Sequence, residues 1–251
     1  MTRNGTDQPD SWKVVPLGGD AHNIFVSPDA STVRLGHPSV TALQSGRLVV
    51  VLDLSGPGVK ALHGPKGRDR ASGRLVQGVV LTSGDGGVTW KEKNRFGFGH
   101  ALTFREGATL YALGHKGNIQ IMRSTDGGEM WSRPVDITDE AGAGFTLGPA
   151  NVLFTEQHVF AVFMRNTDPS VKGNPASVLA PVVLRAPRGI TLTNPRVWTL
   201  FDTGTAFRDL VEHGDLDHFG VPYYSVPNPK RGEQVGKRLW ANRLGWQEAH
   251  V

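Results

Sequence analysis

Cysteine is absent from this chain of 251 residues. Its absence excludes both a disulfide framework and a thiolate metal centre. Long apolar runs are absent too. No stretch of about 18 apolar residues occurs, so no transmembrane helix is expected. The opening segment, MTRNGTDQPDSW, has no apolar core behind its arginine and does not read as a signal peptide; the compartment is not legible from it. Strict helical spacing of apolar residues is nearly missing. The nine histidines show no zinc-like paired spacing. The glycine-rich GDGG and TDGG lack the Lys-Ser/Thr of a phosphate loop, and no G-x-S-x-G elbow is present. Neither metal nor cofactor is expected. The formal net charge of +4 is scattered. Its densest basic cluster, Lys66, Arg68 and Arg70, is split by Asp69 and reads as a solvated loop. Nucleic acid and membranes are therefore not expected partners.

What is present is turn chemistry: 32 glycines and 16 prolines set between short β-branched runs. That is the pattern of an all-β chain. The runs also repeat. GHPSVTALQSGRLVVVLD (Gly36–Asp53) resembles GHALTFREGATLYALG (Gly99–Gly114), and both resemble GPANVLFTEQHVFAVFM (Gly148–Met164). Each holds two β-rich runs around a turn. Two further strands, Arg74–Ser83 and Asn118–Ser124, each lead into an octapeptide: SGDGGVTW (Ser83–Trp90) and, 41 residues later, STDGGEMW (Ser124–Trp131). Four short antiparallel strands in about 40–50 residues is the size of a β-propeller blade, and typically 4–8 blades close a ring. Three units and the start of a fourth, Lys237–Val251, are recognisable. The third unit keeps Trp198 but loses the Asp-Gly-Gly turn, and Thr167–Ala176 reads as an inserted loop.

The octapeptides have a local physical logic. Gly86–Gly87 and Gly127–Gly128 can take the positive φ of a tight hairpin turn. Asp85 and Asp126 can accept backbone N–H bonds inside it, and Ser83 and Ser124 can add a local bond. Trp90 and Trp131 then fold back on the blade, burying area worth roughly 1.5–3 kcal/mol or more. Ser83, Asp85, Gly87 and Trp90, with Ser124, Asp126, Gly128 and Trp131, are thus expected to staple outer strands rather than catalyse. No 12-residue ligand series ending in Glu supports a calcium loop.

These octapeptides resemble the Asp-box, or BNR, repeats of the sialidase superfamily. The resemblance spans roughly Arg34 to Val251. HPSVTALQSGRLVVV is similar to the opening blade of bacterial exo-α-sialidase-like proteins, and GPANVLFTEQHVFAVFMRN with VVLRAPRGITLTNPRVWTL to the third. LGWQEAHV is similar to the strand that opens the fourth. The resemblance implies a six-bladed propeller with its site at the hub, opposite the octapeptides. About three to four blades would be present, an incomplete ring belonging to a longer protein. Residues 1–33 would lead into a partial propeller over 34–251. The implied activity is a glycoside hydrolase that removes a terminal, acidic sugar from a carbohydrate or glycoconjugate. In that family three arginines hold the substrate carboxylate. An aspartate is the acid/base, and a tyrosine paired with a glutamate is the nucleophile.

Carried over residue by residue, Arg34 is the candidate first arginine, although Gly36 holds the family's usual place two residues before Pro38. His37 is placed to point into the mouth. Asp69, in HGPKGRDRASGR and 14 residues before Ser83, is the candidate acid/base, with Asp53 as rival. Glu248 in GWQEAHV resembles the glutamate that assists the nucleophile, and His250 would share its strand face. The nucleophilic tyrosine and remaining arginines are expected beyond Val251. Tyr223 and Tyr224 precede Glu248 and read as a packed edge. The alternative is a non-catalytic carbohydrate-binding or interaction propeller.

Overall fold

The computed structural model describes residues 22–70, 73–139, 144–148, 151–170, 178–202 and 204–206, and the backbone of four two-residue strands between 217 and 239. No α-helix occurs among these residues. The chain is all-β and builds consecutive β-propeller blades. The first contains β1 (Arg34–Ala42), β2 (Leu48–Ser55), β4 (Leu75–Ser83) and β5 (Lys91–Phe96), paired antiparallel in that order, with the short β3 (Gly67–Arg68) against the start of β4. The second is β6 (Gly99–Glu106), β7 (Thr109–His115), β8 (Ile119–Ser124) and β9 (Val135–Asp136). In the third, β10 (Phe145–Thr146) and β11 (Leu153–Phe154) lie along the same side of β12 (His158–Asn166), which is followed by β13 (Leu179–Pro187) and β14 (Thr199–Asp202).

The inner strands are almost continuously apolar because both of their faces are covered. In β2, Val49 and Val51 face the second blade, while Val50, Leu52 and Leu54 face the other way. In β7, Leu110 and Ala112 join the first of these layers, and Tyr111 and Leu113 join Phe163, Leu184 and Trp198 between blades two and three. The three sheets therefore stack face to face in chain order. Every alternation along a strand serves two interfaces.

The octapeptides link third and fourth strands. In the first, Ser83 Oγ donates to Asp85 Oδ1 at 2.7 Å and accepts from Gly87 N at 2.9 Å; Asp85 also accepts from Thr89 N at 2.9 Å. The second repeats the pattern: Ser124 Oγ donates to Asp126 at 2.8 Å and accepts from Gly128 N at 2.9 Å, and Met130 N reaches Asp126 at 3.0 Å. These bonds hold both carboxyls below the usual carboxylate range, Asp85 chiefly through the Thr89 hydroxyl and Asp126 chiefly through the Met130 N–H. Gly87 and Gly128 sit at φ 98° and 89°, where a side chain would be strained. Each tryptophan bonds back to its own turn: Trp90 Nε1 to Gly87 O at 2.8 Å, Trp131 Nε1 to Gly128 O at 3.1 Å. In the third blade, Trp198 Nε1 reaches Leu192 O at 2.8 Å without any serine or aspartate. All three indoles pack on the face of their blade turned toward the start of the chain.

Ser124 is 2% exposed. Ser124→Ala leaves the buried Gly128 N–H without its acceptor, a loss worth about 1–3 kcal/mol. The urea midpoint should fall accordingly, and an unchanged midpoint would show that the turn does not depend on this bond. Two ionic ties then lock neighbouring blades. Glu129, within the second octapeptide, pairs with Arg47 and, at 2.6 Å, with Lys93 of the first blade. Buried Glu106 accepts from Arg188 Nε at 3.2 Å and Gly189 N at 3.1 Å in the third.

Candidate functional site

The strand ends opposite the octapeptides gather the polar groups. Here the first strands of blades one and two are both irregular. Pairing shifts between Gly36 and Ser39 in β1, and between Gly99 and Leu102 in β6. A bulge bends a strand and re-aims a side chain. In both strands the residue after the glycine is a histidine with positive φ, 47° at His37 and 50° at His100; Leu147, before Gly148, repeats this at 54° in the third blade. Such a backbone costs on the order of 1–3 kcal/mol per residue and persists only where the surroundings enforce it. At Gly148 the reason for glycine is plain: a Cβ there would lie 2.2 Å from His100 O.

The two histidines share one buried acid. His37 Nδ1 lies 2.9 Å from Asp53 Oδ1, and His100 N donates to the same oxygen at 3.3 Å. Asp53 is 3% exposed, whereas the His37 side chain is 41% exposed. A carboxylate only accepts, so Nδ1 of His37 is the donor in this contact. The His37 and His100 rings stack with centroids 3.6 Å apart, and His100 lies 4.9 Å from His115. His115 ends β7 at 2% exposure, with the Phe163 ring edge-on at 6.4 Å. Burial, reinforced by the positive charge His100 would carry, pushes its pKa down to about 3. It is a neutral imidazole at ordinary pH.

Asp69 completes the array, with Oδ1 3.7 Å from His115 Nδ1. The loop between β2 and β4 delivers it. Gly67 approaches Gly97 so closely that a Cβ would sit 1.9 Å from the Gly97 carbonyl oxygen. Just beyond, the loop closes as a narrow hairpin, with Asp69 N donating to Arg74 O at 2.8 Å and Gly73 N to Asp69 O at 2.7 Å. The side chains flanking Asp69 diverge. Arg68 turns away into a separate cavity, and Arg70 lies over Gly117. Lys116 lies beside Gly67. An exposed imidazole oriented by a buried carboxylate, next to an aspartate facing a neutral imidazole, is equipment for moving protons.

Of the residues singled out from sequence, His37, Asp69 and the rival Asp53 thus meet in one array. Arg34 stands apart, lining the same separate cavity as Arg68 and Arg74. The octapeptide residues lie at the other end of the sheets. Glu248, His250, Tyr223 and Tyr224 fall outside the residues whose side chains are described. Among arginines without motif context, Arg165 pairs with Asp202 and Arg185 lies over the Phe201 ring. Sequence reasoning missed His100 and His115. The repeated Gly-His of Gly36–His37 and Gly99–His100 was a usable signal for the first; nothing local marks the second. Among the described residues, no three His, Asp or Glu side chains are grouped so as to hold a metal ion.

The fold is of the β-propeller type, with titratable side chains of its first two blades gathered at the strand ends opposite the octapeptides. Neither a protein-family model nor a curated protein matches the chain. Solved structures similar to it include an α-L-arabinofuranosidase from Lactobacillus brevis, 16% identical, over 71% of this chain and 58% of that one, with TM-score 0.47. An α-L-arabinanase from Penicillium chrysogenum is 16% identical over 69% of this chain and 52% of its own, with TM-score 0.42. A Hadza microbial sialidase is 14% identical over 67% of this chain and 37% of its own, with TM-score 0.45. The chain spans between about a third and three fifths of the length of these structures.

Proposed function

We propose that this chain carries the hub chemistry of a sialidase-like glycoside hydrolase that removes a terminal acidic sugar, with Asp69 exchanging the proton of the glycosidic oxygen. The observation that carries this reading is the cluster of Asp69, His115, His100, His37 and Asp53, contributed by two blades at the end opposite the octapeptides. Glycoside cleavage needs a proton donor at the leaving oxygen that can later act as base. Asp69 has the chemistry and is partly exposed, at 13%. Arg70 lies by Gly117 and Lys116 by Gly67, so cations flank the loop that carries Asp69, which suits an anionic sugar. His37, fixed by Asp53, orients substrate hydroxyls or the attacking water.

The place of Arg34 outside the array favours a second reading, a propeller that binds an acidic sugar without cleaving it. A panel of aryl glycosides of sialic acid, glucuronic acid and arabinofuranose separates the two. Turnover of an acidic glycoside, with the neutral one untouched, is the expected result. Saturable binding of the acidic sugars without release of the aryl group would replace hydrolysis by the second reading. Neither turnover nor binding would overturn both.

A further inference from the structure

At the Arg34, Ser55 and Leu75 ends of β1, β2 and β4 lies a cavity of about 570 Å³. Its volume falls within the range of small-molecule sites, roughly 300–1,000 Å³. Four of its lining side chains are cations, Arg34, Lys60, Arg68 and Arg74, and Thr32 and Ser55 add hydroxyls. No acidic side chain is among the described residues that line it. Of the acids nearest in sequence, Asp69, next to Arg68, faces His115, and Asp29 is engaged by the Ser31 N–H and the hydroxyls of Ser31 and Thr32. Arg34, Lys60 and Arg68 form no salt bridge with any described residue. Arg68 is held in place, its Nη1 donating to Gly73 O at 2.6 Å.

Arg34, Lys60 and Arg68, three cations with no acidic partner among the described residues, line one concavity, and a concave wall focuses the field of like charges. Guanidinium groups match sulfate, phosphate and carboxylate oxygens two at a time. We infer that this cavity is a second binding site, for an anionic sugar unit bearing a sulfate, phosphate or carboxylate group. The room and the hydroxyls suit a sugar ring rather than a bare ion. Its position relative to the hub gives it a use. Arg68 and Asp69 are consecutive in one hairpin; Arg68 lines this cavity and Asp69 meets His115. Consecutive residues of that hairpin thus reach both sites. A charged unit held by Arg68 would therefore be a neighbouring unit of the same glycan that Asp69 is proposed to protonate. This use rests on the glycosidase reading; the binding itself does not.

Calorimetric titration of the chain with glucose 6-sulfate, glucuronic acid, glucose and inorganic sulfate tests it. Both charged sugars should bind and glucose should not, with affinity falling as salt rises. Arg34→Gln and Arg68→Gln, each removing one exposed cation without introducing a negative charge, should weaken binding about tenfold or more, and Lys60→Gln supplies an independent check if either variant is unstable. Asp69→Asn should leave this binding unchanged, so that loss of hydrolysis and loss of the second site are read separately. Charged sugars binding no better than glucose, or binding indifferent to all three cation variants, would overturn the site. Inorganic sulfate binding as tightly as glucose 6-sulfate would overturn the sugar assignment.

Discussion

Asp69→Asn is expected to lower kcat/KM on the cleaved glycoside by roughly 10²–10⁴-fold, the ordinary worth of a positioned acid/base group. The substitution keeps the shape of the side chain and removes its ability to exchange a proton. The hairpin is held by main-chain bonds, Asp69 N to Arg74 O at 2.8 Å and Gly73 N to Asp69 O at 2.7 Å, and these survive the change. Denaturation midpoints should therefore move little while turnover collapses. The loss should appear mainly in kcat, because proton transfer belongs to the transition state rather than to ground-state binding. Measuring kcat, KM and the urea midpoint on the same preparation distinguishes the cases. A loss below about tenfold would remove Asp69 from proton transfer and return the rival Asp53, through His37, as the acid/base system.

The second large effect is on stability against acid. His115 is buried, and its pKa in the folded chain is pushed down to about 3, first by burial and then by the charge of His100. In the unfolded chain an ordinary histidine titrates near 6.5. The folded value is the lower one, so the unfolded state takes up the proton first as pH falls. The stabilisation is complete above about pH 6.5 and is lost progressively toward pH 3. At about 1.4 kcal/mol per pH unit the loss reaches a few kcal/mol. The groups facing this imidazole are His100, His37, Asp69 and Asp53, with Phe163 closing the apolar side. The two acids favour the protonated form and the two histidines oppose it. His115→Gln cannot titrate, so its urea midpoint should fall less steeply between pH 7 and pH 4 than that of the parent chain. Parallel curves would show that His115 is not held neutral. Its own ring resonances should show no protonation step above pH 4.

The array also explains why the site was only partly legible beforehand. His37 and Asp69 came from a family resemblance, and Asp53 stood as a rival because it ends a β-run. Their meeting was not readable: His37 and His100 are 63 positions apart, and only the packing of the first blade on the second stacks their rings. Sequence position also misleads about direction. Arg68, Asp69 and Arg70 look like one charged cluster in the sequence, yet the fold parts them among a cavity, the His115 side chain and the Gly117 turn. Arg34 is separated from Asp69 for the same reason.

What the sequence alone determined is whatever closes within a few residues. The paired octapeptides carry their serine, aspartate, glycines and tryptophan within eight positions, and the serine, aspartate and indole bonds of the turn are made inside that span. The β-rich runs between turns likewise marked the strands. The tertiary structure alone decided which side each polar residue faces. In extended chain neighbouring side chains point to opposite sides, so a bulge of one residue at Gly36 or Gly99 redirects a histidine. Whether such a bulge forms depends on the blade packed beside it, and no stretch of the chain read by itself contains that information.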